Sequence, residues 1–383
     1  VGNLFPRRSV LQAASAVGLT AAAWAAGVPR LRAAGATTSE ARSPLRPAPA
    51  AQPLLGVPLE PVDAVSITSL VDNVTDVFLL DQGVAKRQGG LTGGGPPAQV
   101  LANTLLEPGQ EFDALLAEHG FSVLIRLARD GRDHQVLFDA GMTPSGLSDN
   151  MRRLSLSPAD LEAVVLSHGH FDHTAGLDGL VRTLGRANLP VIIHPQFWTQ
   201  RRIAVPGAPP FELPSTSRTA LQGAGFDIIE ERQPSFLFDR SLLITGEVDR
   251  TTPFEQGFPP HQALRDGVWQ PDPLILDDQA AILHVRDKGL VIITGCGHAG
   301  IVNIVRYAQR LTGVEQVYAV LGGFHLNGPA FEPLIPATVA ALGEIAPRVL
   351  VPTHCTGWRA IHALAAAFPE AYIQNSVGTR YEL

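Results

Sequence analysis

From Asp63 onward the chain alternates short apolar runs with polar, turn-rich stretches. AVSITSLV (64–71), FSVLIRLA (121–128) and HQVLFDAG (134–141) read as strands, being short apolar runs bounded by turn residues. The same pattern predicts strands at PVIIH (190–194), SLLIT (241–245), AAILHV (280–285), GLVIIT (289–294), VYAVLG (317–322) and VLVPT (349–353). Helices are expected over 299–311, 333–345 and 358–367. SPADLEA adds another helix start, with Ser157 at the cap, Pro158 in the first turn and Asp160 three residues beyond the cap. Strands outnumber helices, and helices follow strands in the second half, which predicts a mixed α/β chain with two sheets face to face and helices outside. Segments 196–240 and 250–277, rich in Pro, Arg and Phe, read as loops over the mouth of a site. QGGLTGGGPP (88–97) lacks the Gly-Lys-Ser/Thr ending of a phosphate cradle and reads as a flexible surface loop.

The N-terminal region follows different rules. Arg7 and Arg8 precede an apolar, alanine-rich run from Val10 to Val28, and Ala34-Gly35-Ala36 fits a small-residue cleavage site. Residues 1–36 therefore predict a twin-arginine-type signal peptide, a mature start near Thr37 and a periplasmic or secreted protein. That route carries folded proteins, so a metal could be loaded before export. Residues 37–62, punctuated by prolines, read as an extended or disordered linker, leaving 63–383 as the catalytic domain. The hydrophobic content of 45% against 17% charged residues fits a well-buried globule with no membrane span after the signal is removed. Four of the 29 basic residues and none of the 36 acidic ones lie in the signal, so the mature chain carries a formal net charge of −11. This balance disfavours nucleic acid and anionic membranes as principal partners and leaves a small-molecule substrate.

The chemistry concentrates in SHGHFDHTAGL (167–177). His168, His170, Asp172 and His173 fall within six positions of a chain that has 12 histidines. Imidazoles with a carboxylate suit zinc, and His168 and His170, two apart in an extended stretch, project to the same side and can share one ion. Asp172 and His173, further round the turn, can serve a second. Two ions about 3.5–4 Å apart can hold a hydroxide and polarise a carbonyl or phosphoryl oxygen. Asp139 (FDAG), Cys296 and His298 (TGCGHAG), His325 (LGGFHL) and His354 (PTHCTG) each follow an apolar run and sit in a turn, which suggests one shared site. Cys296 and Cys355 could form a disulfide, but each stands beside a histidine in a glycine-bearing turn, which fits metal or active-site duty better. Glu118-His119 and Asp72-Asn73 read equally as site-facing or ordinary turn residues. His194, His261, His284 and His362, without companion ligands, read as structural or exposed.

The order FDAG, SHGHFDHTAGL and a late histidine after a strand resembles the metallo-β-lactamase superfamily, from about Val65 to Gly378. LVDN, EHGFSVLI, TGCGHAGIVNIV, LGGFHL and PTHCTGW together resemble its dihydropteroate-synthase-like branch, usually described as metal-dependent hydrolases. The resemblance implies a four-layer αββα sandwich with metals at one edge between the sheets. It assigns His168 and His170 to a first metal, Asp172 and His173 to a second, and His354 as the final histidine ligand. It makes Asp139 an orienting group and puts Cys296 where many relatives have a bridging aspartate. The usual middle histidine is missing from its Gly-His turn; ITGEV offers Glu247 there, so either Glu247 or His298 completes the first site. Asp172, Asp139 and His325 are the expected catalytic residues. The cofactor implied is Zn2+, one or two ions, with Fe or Mn left open. The expected activity is hydrolysis of a small-molecule ester, lactone, amide or phosphoester by metal-bound hydroxide. The alternative is group transfer, because the branch includes archaeal enzymes that join a pterin to a ribofuranosyl-aminobenzene phosphate. Redox chemistry at iron is disfavoured, since two-iron members carry an acidic residue where this chain has His170.

Overall fold

The computed structural model describes residues 55–383, so the signal expected over 1–36 and most of the linker expected over 37–62 lie outside the described residues. Residues 55–62, the described end of that linker, pack along the domain. They run as an ordered strap: the N–H of Leu55 donates to Arg310 O at 2.9 Å, that of Val57 to Leu311 O at 2.7 Å, and Val62 bridges to Val285. Val57 and Leu59 turn their side chains into a core cluster, and this apolar anchoring accounts for the order.

All nine expected strands form. The first sheet has eight strands, in the order Asp227–Glu230, Pro190–Ile193, Ala163–Val165, Arg132–Phe138, Ser122–Arg129, Ala64–Val71, Thr379–Glu382, Ala85–Arg87. The second has six: Ser235–Leu237, Leu242–Ile244, Ala280–Val285, Gly289–Thr294, Val317–Gly323, Val349–Thr353. Period-2 alternation divides each strand between two cores. Val291 and Ile293 face the first sheet, packing with Val123, Ile125 and Leu127, while Leu290 and Ile292 face the helices. Helices Ile301–Thr312, Ile335–Ile345 and Trp358–Ala367 supply the apolar cover on the outer side of the second sheet. Gly146–Arg153 and Leu177–Leu184 cover the outer side of the first. The result is the expected αββα order of layers.

Strand direction places the site. The first-sheet strands that end at Phe138, Val165 and Ile193 run parallel, as do the second-sheet strands that end at Thr294, Gly323 and Thr353. Their carboxyl ends therefore open at one edge of each sheet, the usual position for a binding crevice in parallel sheets. Asp139, Ser167-His168, Cys296, His325 and His354 are what follow those ends.

Two local expectations are corrected. Ser157 does cap, accepting from the Ala159 N–H at 3.2 Å, but only a 3-10 turn, Pro158–Asp160, results. The chain must extend by Ala163 to pair beside Val136–Phe138, which leaves no length for a helix. Segments 196–240 and 250–277, read as loops, contain an antiparallel four-stranded sheet of Phe211–Glu212, Arg201–Ile203, His261–Arg265 and Val268–Pro271. No described helix is long and apolar enough to cross a membrane.

Candidate metal centre

Three imidazoles meet first. His168 and His170 leave the strand end on one side, and His298 reaches them from the opposite sheet after the Cys296 turn. His170 Nδ1 lies 3.0 Å from His168 Nε2 and 3.2 Å from His298 Nε2. Three buried ring nitrogens converging in this way have more lone pairs than protons to share, a geometry suited to a cation. The second set is Asp172, His173, Cys296 and His354, whose donor atoms lie within 4.8 Å of one another. His173 Nε2 is 3.1 Å from Cys296 Sγ, and His354 Nε2 is 3.3 Å from Asp172 Oδ2. His170 Nε2 and both nitrogens of His354 are buried without a hydrogen-bond partner. Such orphaned polar atoms are costly unless something ligates them, and the donor set fits a divalent cation at each position.

The expectation for Glu247 is corrected, and His298 completes the first set. Gly246, at φ +60°, turns the chain so that the Glu247 carboxylate pairs with Arg232 at 2.7 Å and approaches His194 at 3.7 Å. His325 reaches the rim: its ring centroid is 4.2 Å from that of His298, and it forms a further grouping with Cys296 and His298. Cys296 and Cys355 are both free, and Cys355 Sγ donates to Cys296 O at 3.3 Å.

Asp139 lies between the two ligand-bearing turns. It is fully buried, accepts from Ser167 N–H and Oγ–H at 2.7 Å each, and holds His173 Nδ1 at 2.7 Å. This directs His173 Nε2 towards the centre. Ser167 Oγ also contacts His168 Nδ1 at 2.9 Å, so one hydroxyl links the two ligand sets. A β-carbon on Gly295 would collide with that hydroxyl, which accounts for glycine there. Asp139, His325 and His354 all adopt left-handed backbone, at φ +58°, +45° and +50°, the strained conformation often found where the backbone aims functional side chains.

Burial, then charges from His173, Arg201 and His325 respectively, pushes His168, His170 and His298 well below the ordinary histidine range, so they stand neutral as ligands must. Burial opposes charge on His173 and Asp172 too, yet each outweighs it for the other. Asp172 and Asp139 carry His173 up to about 9, while His173 and His354 hold the Asp172 carboxyl below its usual range. Burial raises the Cys296 thiol well above its usual value; a cation would reverse this.

Several site residues were missed. Ser167 stands directly before His168, and its position between two ligand-bearing turns was the available signal. Asp277 accepts from the Gly169 N–H at 2.9 Å and pairs with buried Arg201; the adjacent acids of LDDQA could have suggested it. His261, expected to be structural or exposed, has its ring 5.4 Å from His170 and 6.0 Å from His298, with Nδ1 buried and unpartnered. Nothing around it in the sequence marks it. Asp72 is site-supporting, accepting from the His354 N–H at 2.9 Å. His119 approaches Asp172 at 3.8 Å.

Residues 116–309 match the family model described as the metallo-beta-lactamase superfamily. The chain is 30% identical over 259 residues to an uncharacterized protein of Methanocaldococcus jannaschii, covering 66% of this chain and 90% of the relative. It is 29% identical over 269 residues to the 7,8-dihydropterin-6-methyl-4-(beta-D-ribofuranosyl)-aminobenzene-5'-phosphate synthase of the same organism, covering 68% and 89%. A crystal structure of a metal-dependent hydrolase of the beta-lactamase superfamily superposes with a TM-score of 0.61 at 22% identity, covering 83% of this chain and 99% of that one. The chain belongs to the metallo-β-lactamase superfamily. It is an enzyme of the metallo-hydrolase type that this fold supports, with clusters suited to divalent metal.

Proposed function

We propose that the protein is a two-zinc hydrolase acting on a small-molecule ester, lactone, amide or phosphoester. The observation that carries this is the pair of converging donor sets, His168/His170/His298 and Asp172/His173/Cys296/His354, the second with both His354 nitrogens buried and without a hydrogen-bond partner. Two divalent cations held there would supply Lewis acidity and lower the pKa of an attacking water. The chain's own residues do the rest. Asp139 and Ser167 fix the imidazoles, and the Gly169 N–H, tied to Asp277, holds the motif loop in place. His261 and His325 stand beside the first set, where their ring N–H groups can meet a substrate oxygen. Metal analysis of purified protein with a panel of phosphoester, lactone and β-lactam substrates tests the reading. Two equivalents of zinc and turnover lost to chelation support it, and turnover indifferent to chelation removes it.

A second reading, group transfer to a pterin, rests on the M. jannaschii synthase relative. Consumption of a pterin with formation of a coupled product would favour it. Work outside the cytoplasm, proposed from Arg7-Arg8 and Ala34-Gly35-Ala36, speaks for hydrolysis instead; N-terminal sequencing that finds residues 1–36 on a cytoplasmic form would end that argument.

A further inference from the structure

A cavity of 600 Å³ adjoins the second ligand set, with His119 and His354 in its wall at the metal end. That is ample room for a bicyclic organic group, and its far wall is unusual. Trp358, at the first position of helix Trp358–Ala367, is 76% exposed although it lines this cavity a few residues from a metal ligand. His362, one turn along the same helix face, sits 4.3 Å from it, and Tyr372 lines the cavity as well. Exposing a whole indole forfeits burial that a flat ligand would restore.

Amides are prominent among the polar groups in the wall, beside three histidines, Thr353 and Tyr372. Asn73 donates to His354 O at 3.0 Å, leaving its own oxygen as an acceptor, and Asn327 and Gln374 are exposed along the rim. The one carboxylate, Asp72, is engaged by the His354 N–H and by Asn375. None of the 16 lining residues is Lys or Arg, so away from the metal end the cavity holds no permanently cationic side chain to pair with an anion.

We propose that this cavity binds an uncharged, planar aromatic portion of the substrate, stacked on Trp358 with its edge against the amide side chains, so that the adjoining reactive bond lies at the metal centre. Trp358 is then a specificity-determining residue. The proposal rests on the metal-centre reading above for what happens to that bond, but not for the binding itself.

Titration calorimetry on the zinc-loaded protein tests it with three probes: 2-naphthamide, its saturated decahydro counterpart, and naphthalene-2-sulfonate, a poor metal ligand. 2-Naphthamide should bind at least about tenfold more tightly than the saturated amide, and the sulfonate should bind no more tightly than 2-naphthamide. Trp358→Ala should weaken 2-naphthamide by about tenfold while retaining its zinc, and Trp358→Phe should recover most of the loss. Equal binding of the flat and saturated amides, no change in Trp358→Ala, or preference for the sulfonate would each overturn the proposal. Failure here with metal-dependent turnover intact leaves the hydrolase reading standing. Aromatic selectivity without any turnover would sink the hydrolase reading alone.

Discussion

The two ligand sets sit side by side yet solve different electrostatic problems. The first is three imbedded imidazoles, all neutral because burial makes protonation costly, so an ion there would bring two uncompensated positive charges. The second sets a carboxylate and a thiol against the same charge. The first draws two ligands from one strand end and one from the other sheet. The second takes Asp172 and His173 from the first sheet's edge and Cys296 and His354 from two strand ends of the second. An ion in either set ties the sheets together, but the second also neutralises itself. On the proposed two-metal reading, an ion in the first set would be the more electrophilic and one in the second the more structural.

The largest effect expected from this contrast is at His170. Removing it as His170→Ala leaves the first ion two imidazoles, and turnover should fall to background with loss of about one metal equivalent, since a structural zinc site needs four donors and a catalytic one three. His284→Ala should change neither, because His284 lies mid-strand away from both sets. Metal analysis and turnover on the two variants decide the matter, and full activity in His170→Ala would remove the metal mechanism.

Cys296 probes the second set's anionic character. Cys296→Asp should keep both metals and part of the activity, whereas Cys296→Ala should lose the second metal. In the wild type, chelation should open Cys296 to alkylation. Two free thiols are expected on denatured, non-reduced protein, consistent with both cysteines being free in the fold; a count of zero would mean a disulfide has replaced the ligand.

A smaller effect belongs to the groups that aim the ligands. Asp139→Asn and Ser167→Ala keep every ligand but disturb the hydrogen bonds to His173 and His168, so zinc affinity should fall by roughly 10–100-fold. Competition with a chelator of known affinity measures it; unchanged affinity in both would make the Asp139–Ser167–His168 chain a packing feature only.

How much of this was legible depends on what kind of signal each residue carries. GLVIIT and VLVPT declare strands because a buried parallel strand must be apolar on both faces, and the turn after each then had to hold whatever the site needs. That logic reaches Asp139, Cys296, His298, His325 and His354 without coordinates. It fails for Glu247, which has the right residue type at the right order, but the Gly246 turn aims it at Arg232. It fails for His261 because the sheet that carries it, Arg201–Ile203 with His261–Arg265, is short, polar and without clear alternation. The Ser157 turn had a genuine cap and still made no helix, since pairing at Ala163 overrode local preference.

The least disruptive test of the contrast is the pH dependence of stability in metal-free protein. His168, His170 and His298 have folded pKa values below the unfolded value of about 6.5, so below that pH the unfolded chain takes up protons that the folded chain refuses. Stability should therefore fall as pH drops below about 6.5, with these three protons driving the slope and His261, His194, His119 and His284, also lowered mainly by burial, adding to it. His173 acts in the opposite sense. Its folded pKa of about 9 exceeds the unfolded value, so its contribution is complete below about 6.5 and is lost as pH rises towards about 9. His325, also raised, acts in the same sense as His173, so denaturant midpoints of chelated protein should peak near pH 6.5, with a steep acid limb and an alkaline limb that the two share. His173→Gln should shrink the alkaline limb and leave the acid limb in place, because the three imidazoles of the first set are neutral throughout the alkaline range. An alkaline limb undiminished in His173→Gln would show that the two sets do not divide charge in this way.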